Sequence, residues 1–457
     1  MKSTLFAERG QALILIALAA IGLFAIVGLA IDGSAKYSDR RHAQNAADAA
    51  SLAGSLALVD PATEANWDTI ARNRAIDNGY DGDLVRSQVW VYKCNLSKTD
   101  AKRSDAWTDF NIDCGPYEGK IDYVQVVIKS QINTYFARVI GITKVKNVVS
   151  AVAYWKPRGK NYDGNLIVAL NPNPCSGGGA DGNITLGTSG GSTGVINLDG
   201  GGAYVNSTAG TCGMNLTGCP TLTITGGGQI GSAGSGNINL TSSSGACSAS
   251  VTAPTPTYNN DPYPFPPEMP AEPTECTSPA GTFTNNSATQ VTTLNPGRYN
   301  EFPPKSGGGT TVYDHVVMNP GVYCVNDMVK VTDQHLVLTG HNVLIYIRNG
   351  YAFSLQGGSI QIDAPDVGDY AGYLIIVDSD FTGSSKNCVI DGNSTNTYIG
   401  TIFAPYCNLT VNGTSDATSY NAQLIAYTVK LNGSAAVNLT YVESENAKSD
   451  PKVGLMR

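Results

Sequence analysis

Residues 400–413 read GTIFAPYCNLTVNG and residues 424–433 read LIAYTVKLNG. Both are rich in β-branched and aromatic residues, and both end on Asn-Gly, a pair that tolerates the φ > 0 backbone of a tight turn. LTVNG (409–413) returns as VKLNG (429–433) at an offset of 20, and TLNPGRY (293–299) returns as VMNPGVY (317–323) at an offset of 24. Such a unit is too short to bury an apolar face alone, so repeats of this period imply stacked coils with Val, Ile and Leu facing inward. The expected fold of residues 281–443 is a right-handed parallel β-helix, with a β-sandwich as the alternative.

Working outward, residues 161–252 carry further short β runs: NITLG (183–187), GVINLDGGG (194–202), LTITGGG (222–228) and NINLT (237–241). Between the two β parts, residues 253–280 are rich in proline, which lacks an N–H donor and cannot sit inside a sheet. They are expected as a linker or a surface crossing, and residues 444–457 as a polar tail. Residues 59–160 read as a small α+β domain. It has a helix over Glu64–Tyr80 ended by Gly79, strands over 87–94, 122–132 and 144–155, and a short helix at TYFARVIG (134–141).

Gln11 to Ile31 contain no charge. About 21 residues at 1.5 Å each reach roughly 32 Å, enough to cross a hydrocarbon core of about 30 Å. The apolar core of a cleaved signal peptide is shorter, about 7–15 residues, so a retained anchor is expected. Lys2 and Arg9 precede this span and Lys36, Arg40 and Arg41 follow it, which opposes a simple positive-inside assignment. A long downstream portion translocates largely regardless of flanking charge. The expectation is a single-pass inner (cytoplasmic) membrane protein with a cytoplasmic N-terminus and its bulk outside the cytoplasm. After the span, Ala43, Ala46, Ala50, Ala53 and Ala57 fall on one helical face. This seam suits close approach of a second helix or docking on the domain's own sheet.

ERGQALILIALA leading into AIDGSAKYSDRRHAQNAADAASLAG resembles the N-terminal module of TadE/TadG-like Flp pilus-assembly proteins, over about residues 7 to 57. Arg9 and Gly10 stand before the helix. Asp32, Asp39, Arg40, Arg41, Gln44, Ala46, Ala47, Asp48, Ala49 and Ala50 form the dense motif after it. The resemblance implies a membrane-anchored, non-catalytic component of a tight-adherence pilus or related secretion apparatus, with pilus or secretion subunits as partners through the helix. Leu15 stands where processed prepilin-like relatives generally carry Glu, so the resemblance does not imply prepilin processing. The 400–433 region is similar to the β-helical ends of many bacterial surface proteins.

The formal charge is -8, without a long basic run, which excludes the positive footprint of a nucleic-acid binder. Ten cysteines without a CxxC pair suit disulfides in an oxidising compartment. Cys388 with Cys407, Cys94 with Cys114, and Cys212 with Cys219 are the candidates; reduced, buried thiols are the alternative. Four scattered histidines give no metal or cofactor set. Asp363, Asp366 and Asp369, then Asp378 and Asp380, then Asp391 are the acidic clusters weighed for glycoside cleavage or calcium, and their Pro- and Gly-rich surroundings read as turns. The function expected is a non-enzymatic, membrane-anchored pilus-assembly or adhesion component projecting a rigid β domain. The alternatives are a carbohydrate-binding surface protein, with a surface glycan or protein ligand, and a β-helical polysaccharide-degrading enzyme.

Overall fold

The computed structural model describes residues 9–456 apart from 61, 82, 84–85, 96–112, 157–158, 174–181, 188–192, 209–212, 236, 245–246, 259–261, 305–311, 379–385, 392–394, 414–417 and 434–435. The chain forms two compact units. The first comprises Met1–Gly159 and Asp450–Arg457, and the second Lys160–Ser449.

In the first unit one helix, α1, runs from Arg9 to Val59. Its apolar half is unpacked: from Leu13 to Ile31 the large side chains are exposed, and its length and composition suffice to cross a membrane. The other half lies on an antiparallel sheet of β1 (Ser87–Lys93), β2 (Tyr123–Asn133), β3 (Lys144–Lys156) and a C-terminal strand (Lys452–Met456), in that order. Within the stretch expected as a polar tail, residues 452–456 instead form this edge strand. Residues 452–456 pair with Val152–Lys156, a strand too short for its alternation to stand out among polar neighbours. A second helix, α2 (Trp67–Asp77), closes the layer, and Gly79 takes φ 87 after it. Residues 137–140 form a 3-10 turn ended by Gly141 at φ 88. Cys94 and Cys114 are bonded, with Gly119 N–H donating to Cys94 O.

The second unit is a parallel stack built as three rows, and each circuit of the chain adds a strand to each row. The first row pairs 291–294 with 315–318, then 337–340, then 359–362. The second follows 297–299, 321–325, 343–347 and 373–377. The third follows 329–331, 353–355 and 386–391. The long strands Thr397–Gly413 and Thr418–Gly433 pass through the rows and pair with each other, Asn412 opposite Asn432 and Gly413 opposite Gly433. Val, Ile, Leu and Tyr from the rows fill one continuous interior, while amides ladder along the corners: Asn295 to Asn319, Asn412 to Asn432, Asn197 to Asn438. The repeated Asn-Pro-Gly corner needs glycine, since Gly297 and Gly321 both sit at φ 137.

Stacking order departs from chain order. Strand 418–433 pairs onward with Ile167–Ala169 and Ile184–Gly187 of the earlier part through Leu424–Ala426 and Val429–Asn432. Ala436–Thr440 supplies the first-row strand of that same coil and pairs with Val195–Asp199. The chain thus enters mid-stack, winds to one end at 250–258, crosses back, and winds from 291 to the coil where it began.

The crossing is the proline-rich segment. Tyr263 rests on Tyr204 and Tyr162, Phe265 lies near Tyr427 and Tyr406, Tyr370 hydroxyl donates to Ala271 O, and Glu272 pairs with Arg348 at 2.5 Å. Cys276 is then bonded to Cys324. These contacts take the second row coil by coil in reverse. Roughly ten coils at about 4.8 Å need roughly 45 Å, and some twenty residues at about 3.1 Å each reach roughly 60 Å.

Candidate functional site

The face of α1 that meets the sheet carries polar groups among alanines. Asp32, Asp39, Ala43, Ala46 and Ala50 succeed one another at steps of seven, four, three and four, which keeps them on one side of a helix. Ala43, Ala46, Ala47 and Ala50 are fully buried against Ala71 and Ala75 of α2 and Val126, Ile128, Val149 and Ala151 of the sheet. Small side chains let the backbones approach, and the polar groups then find partners.

Asp32 accepts the backbone N–H groups of Tyr135, Phe136 and Ala137 at 2.7, 3.0 and 2.7 Å. The Ala137 and Tyr135 bonds hold its carboxyl below the ordinary carboxylate value. One turn earlier Gly28 is buried, and a Cβ there would lie 2.6 Å from Cβ of Phe136. Asp39 accepts from Ser130 Oγ and Asn147 Nδ2, each at 2.5 Å, and from the Tyr80 hydroxyl at 3.3 Å. Burial, then the Asp39 charge, pushes the Tyr80 phenol up. Gln44 Nε2 donates to Ser150 O at 3.0 Å and to Asp48 Oδ1 at 2.9 Å. Arg40 and Arg41 point away and are exposed, Arg41 lying 6.0 Å from the Tyr37 ring centroid. The arrangement is a latch that fixes the helix at successive levels.

The family-model comparison falls on this latch. Residues 10–64 match the model of Flp pilus-assembly TadE/G-like proteins. No curated protein and no solved structure matches the chain. The TadE/G-like segment covers the apolar helix and its dense motif, as the sequence resemblance implied. Within it the structure separates Asp32, Asp39, Gln44, Ala46, Ala47 and Ala50, which face the sheet or its loop, from Arg40 and Arg41, which do not. Asp48 serves Gln44, and Ala49 is half-buried. Arg9 and Gly10 lie at the helix start, with side chains outside the described set, as is that of Gln11. The alanine seam serves both of the uses expected of it, within its own unit: it docks on the sheet and lets α2 approach through Ala71 and Ala75. Ser130, Asn147, Tyr80 and the loop amides of 135–137 had no distinguishing sequence signal; Gly28 did, as a small residue one turn before Asp32.

Elsewhere, Cys388 is bonded to Cys407, and Cys219 to Cys247. The expected Cys212–Cys219 bridge is thereby corrected: Met214–Thr217 between them is an extended strand, and Cys212 itself lies outside the described residues. Of the acidic clusters, the carboxylates of Asp363 and Asp391 are engaged at corners of the stack. Asp363 meets His341 Nδ1 at 2.5 Å and accepts Asn342 N–H, while Asp391 accepts from Asn412 and Gln356. Asp366 N–H donates to Asn342 Oδ1, Asp369 follows Gly368 at φ 91, and burial, then the Asp378 charge, pushes the Tyr346 phenol up. Asp380 lies outside the described residues. Among the described residues no three His, Cys, Asp or Glu side chains gather as a metal site.

Proposed function

We propose that this protein is a non-enzymatic, membrane-anchored component of Flp/Tad-type pilus assembly or surface adhesion. Its second unit acts outside the cytoplasm as a β-helical arm. The observation that carries this reading is the coincidence of the TadE/G-like match at 10–64 with the exposed apolar span and the latch. The bonded cysteine pairs fit an oxidising compartment, and the three-row parallel pairing supports the β-helix. Since the alanine seam is already occupied, partner subunits meet α1 through its exposed apolar half. The test is mass spectrometry of sheared surface fibres and washed membranes from native cells. Peptides in membranes, with or without fibres, support the reading, and enrichment in fibres makes the chain a minor subunit. Recovery from the soluble cytoplasm alone would overturn it.

A further inference from the structure

The hairpin joining β2 to β3 ends in residues 134–143, TYFARVIGIT. An exposed hairpin tip is ordinarily polar, yet here Tyr135, Val139 and Ile140 are 73%, 89% and 76% exposed, with Phe136 and Ile142 also exposed. Two contacts fix where this apolar tip lies. Asp32, the first residue after the uncharged run, grips the tip's backbone at Tyr135, Phe136 and Ala137. Gly28 receives the flank of Phe136, and it is the buried position in an otherwise exposed turn of the span. Gly28 precedes Asp32 by four residues, about 6 Å along the helix axis. Phe136 therefore sits at the depth of the last turn of the span. Arg138, Lys144 and Lys146, all exposed, flank the apolar group.

We propose that this hairpin tip is a second membrane-contacting element, seated in the lipid bilayer beside the point where α1 leaves it; this rests on the anchoring reading above. The apolar side chains enter the boundary between headgroups and acyl chains, which interfacial apolar faces reach to about 5–10 Å. Tyr135 suits that boundary, where aromatic residues with a polar end concentrate. Arg138, Lys144 and Lys146 meet lipid phosphates, a charge match that a protein partner need not provide. The glycine and the aspartate have a joint role in this arrangement. A side chain at 28 would push Phe136 off the helix, and without the carboxylate at 32 the tip's amides would face lipid unpaired.

The test uses the full chain reconstituted in phosphatidylcholine/phosphatidylglycerol vesicles, with bromine placed at known depths along the acyl chains. Three single substitutions each add one emitter: Val139→Trp in the tip, Ile21→Trp in the span and Val367→Trp, exposed in the second unit. Emission of the parent, with its native tryptophans, is subtracted. The expected result is that Val139→Trp loses most of its added emission with shallow bromines, Ile21→Trp loses it with deep bromines, and Val367→Trp keeps it. Quenching at 21 without quenching at 139 would overturn the hairpin proposal and leave the anchor intact. Quenching at neither would overturn the anchor, and the hairpin proposal with it.

Discussion

Asp32 and Gln423 show how much of each unit hangs on one side chain. At Asp32 the three N–H donors converge on a carboxylate, and charge-assisted bonds of this kind are the stronger ones. Asp32→Ala should release the hairpin tip while leaving the sheet paired. Hydrogen exchange should then quicken at 135–141 and stay unchanged at 149–155; equal protection of the tip in parent and variant would contradict the latch. The carboxyl's folded-state pKa is depressed. Its contribution is therefore complete above the unfolded value, about 3.9, and is lost as pH falls through the lower folded value. Tip protection should hold flat from neutral pH to about 4 and fall only below that range.

Gln423 is fully buried. Its Nε2 donates to Asn161 O and Asn165 O, its Oε1 accepts from Thr401 Oγ1, and its N–H donates to Asn446 Oδ1. Asn161 lies near the start of the second unit and Asn446 near its end, so Gln423, through its side chain and its backbone N–H together, joins the point where the chain enters the stack to the point where it leaves. Beside it Tyr162 and Asp163 take φ 47 and 57, a left-handed pair that such bonds must hold in place. Gln423→Ala takes this donor from the carbonyls of Asn161 and Asn165, at about 1–3 kcal/mol for each group left unpaired, while the Thr401 hydroxyl keeps Asn446 and Ala447. A urea midpoint for the second unit equal to the parent's would count against this reading.

At the scale of elements, the proline-rich strap and the coils it crosses answer different questions. The strap is held by its aromatic side chains at one end and by Cys276–Cys324 at the other, a separation of 48 residues. In the chain-entropy model a bond closing such a loop contributes about 4 kcal/mol. Replacing both cysteines with serine should lower the unfolding midpoint and open 262–275 to protease, while Tyr263 still holds its end. Unchanged proteolysis would mean that the aromatic contacts alone secure the strap. The strap's existence was legible because proline cannot enter a sheet; its path was not, since the residues it lies on, Tyr204, Tyr406 and Tyr427, are scattered over the sequence. The same division holds for the coils. TLNPGRY and VMNPGVY announce a repeat because Asn295 and Asn319 occupy equivalent corners. Nothing local announces that Leu424–Ala426 pairs with Ile167–Ala169, because every coil offers the same alternation and any coil could follow any other. In the latch the resemblance pointed to Asp32 and Asp39, but their partners are largely backbone groups and small polar residues that leave no pattern.

For the whole molecule, the second unit is an insertion between two neighbouring strands of the first. The chain leaves after Gly159 and returns at Asp450 to pair with β3, Lys452 opposite Lys156. The last residues thus serve both units by separate means. Asn446 and Ala447 bond to Thr401 and Gln423 in the stack, and Val453–Met456 covers the edge of β3 in the sheet. Two truncations separate these roles. Ending the chain after Ser449 removes only the edge strand, so β3 becomes an open edge and the first unit alone should become protease-sensitive. Ending it after Tyr441 also removes the partners of Gln423 and Thr401, so the second unit should weaken as well. Limited proteolysis, with fragments assigned by mass to 9–159 or 160–441, distinguishes the two. If both truncated chains resist protease as the full chain does, residues 442–456 are dispensable and the closure of neither unit depends on them. If the shorter one loses resistance in both units and the longer one only in the first, the chain's end is what completes each fold.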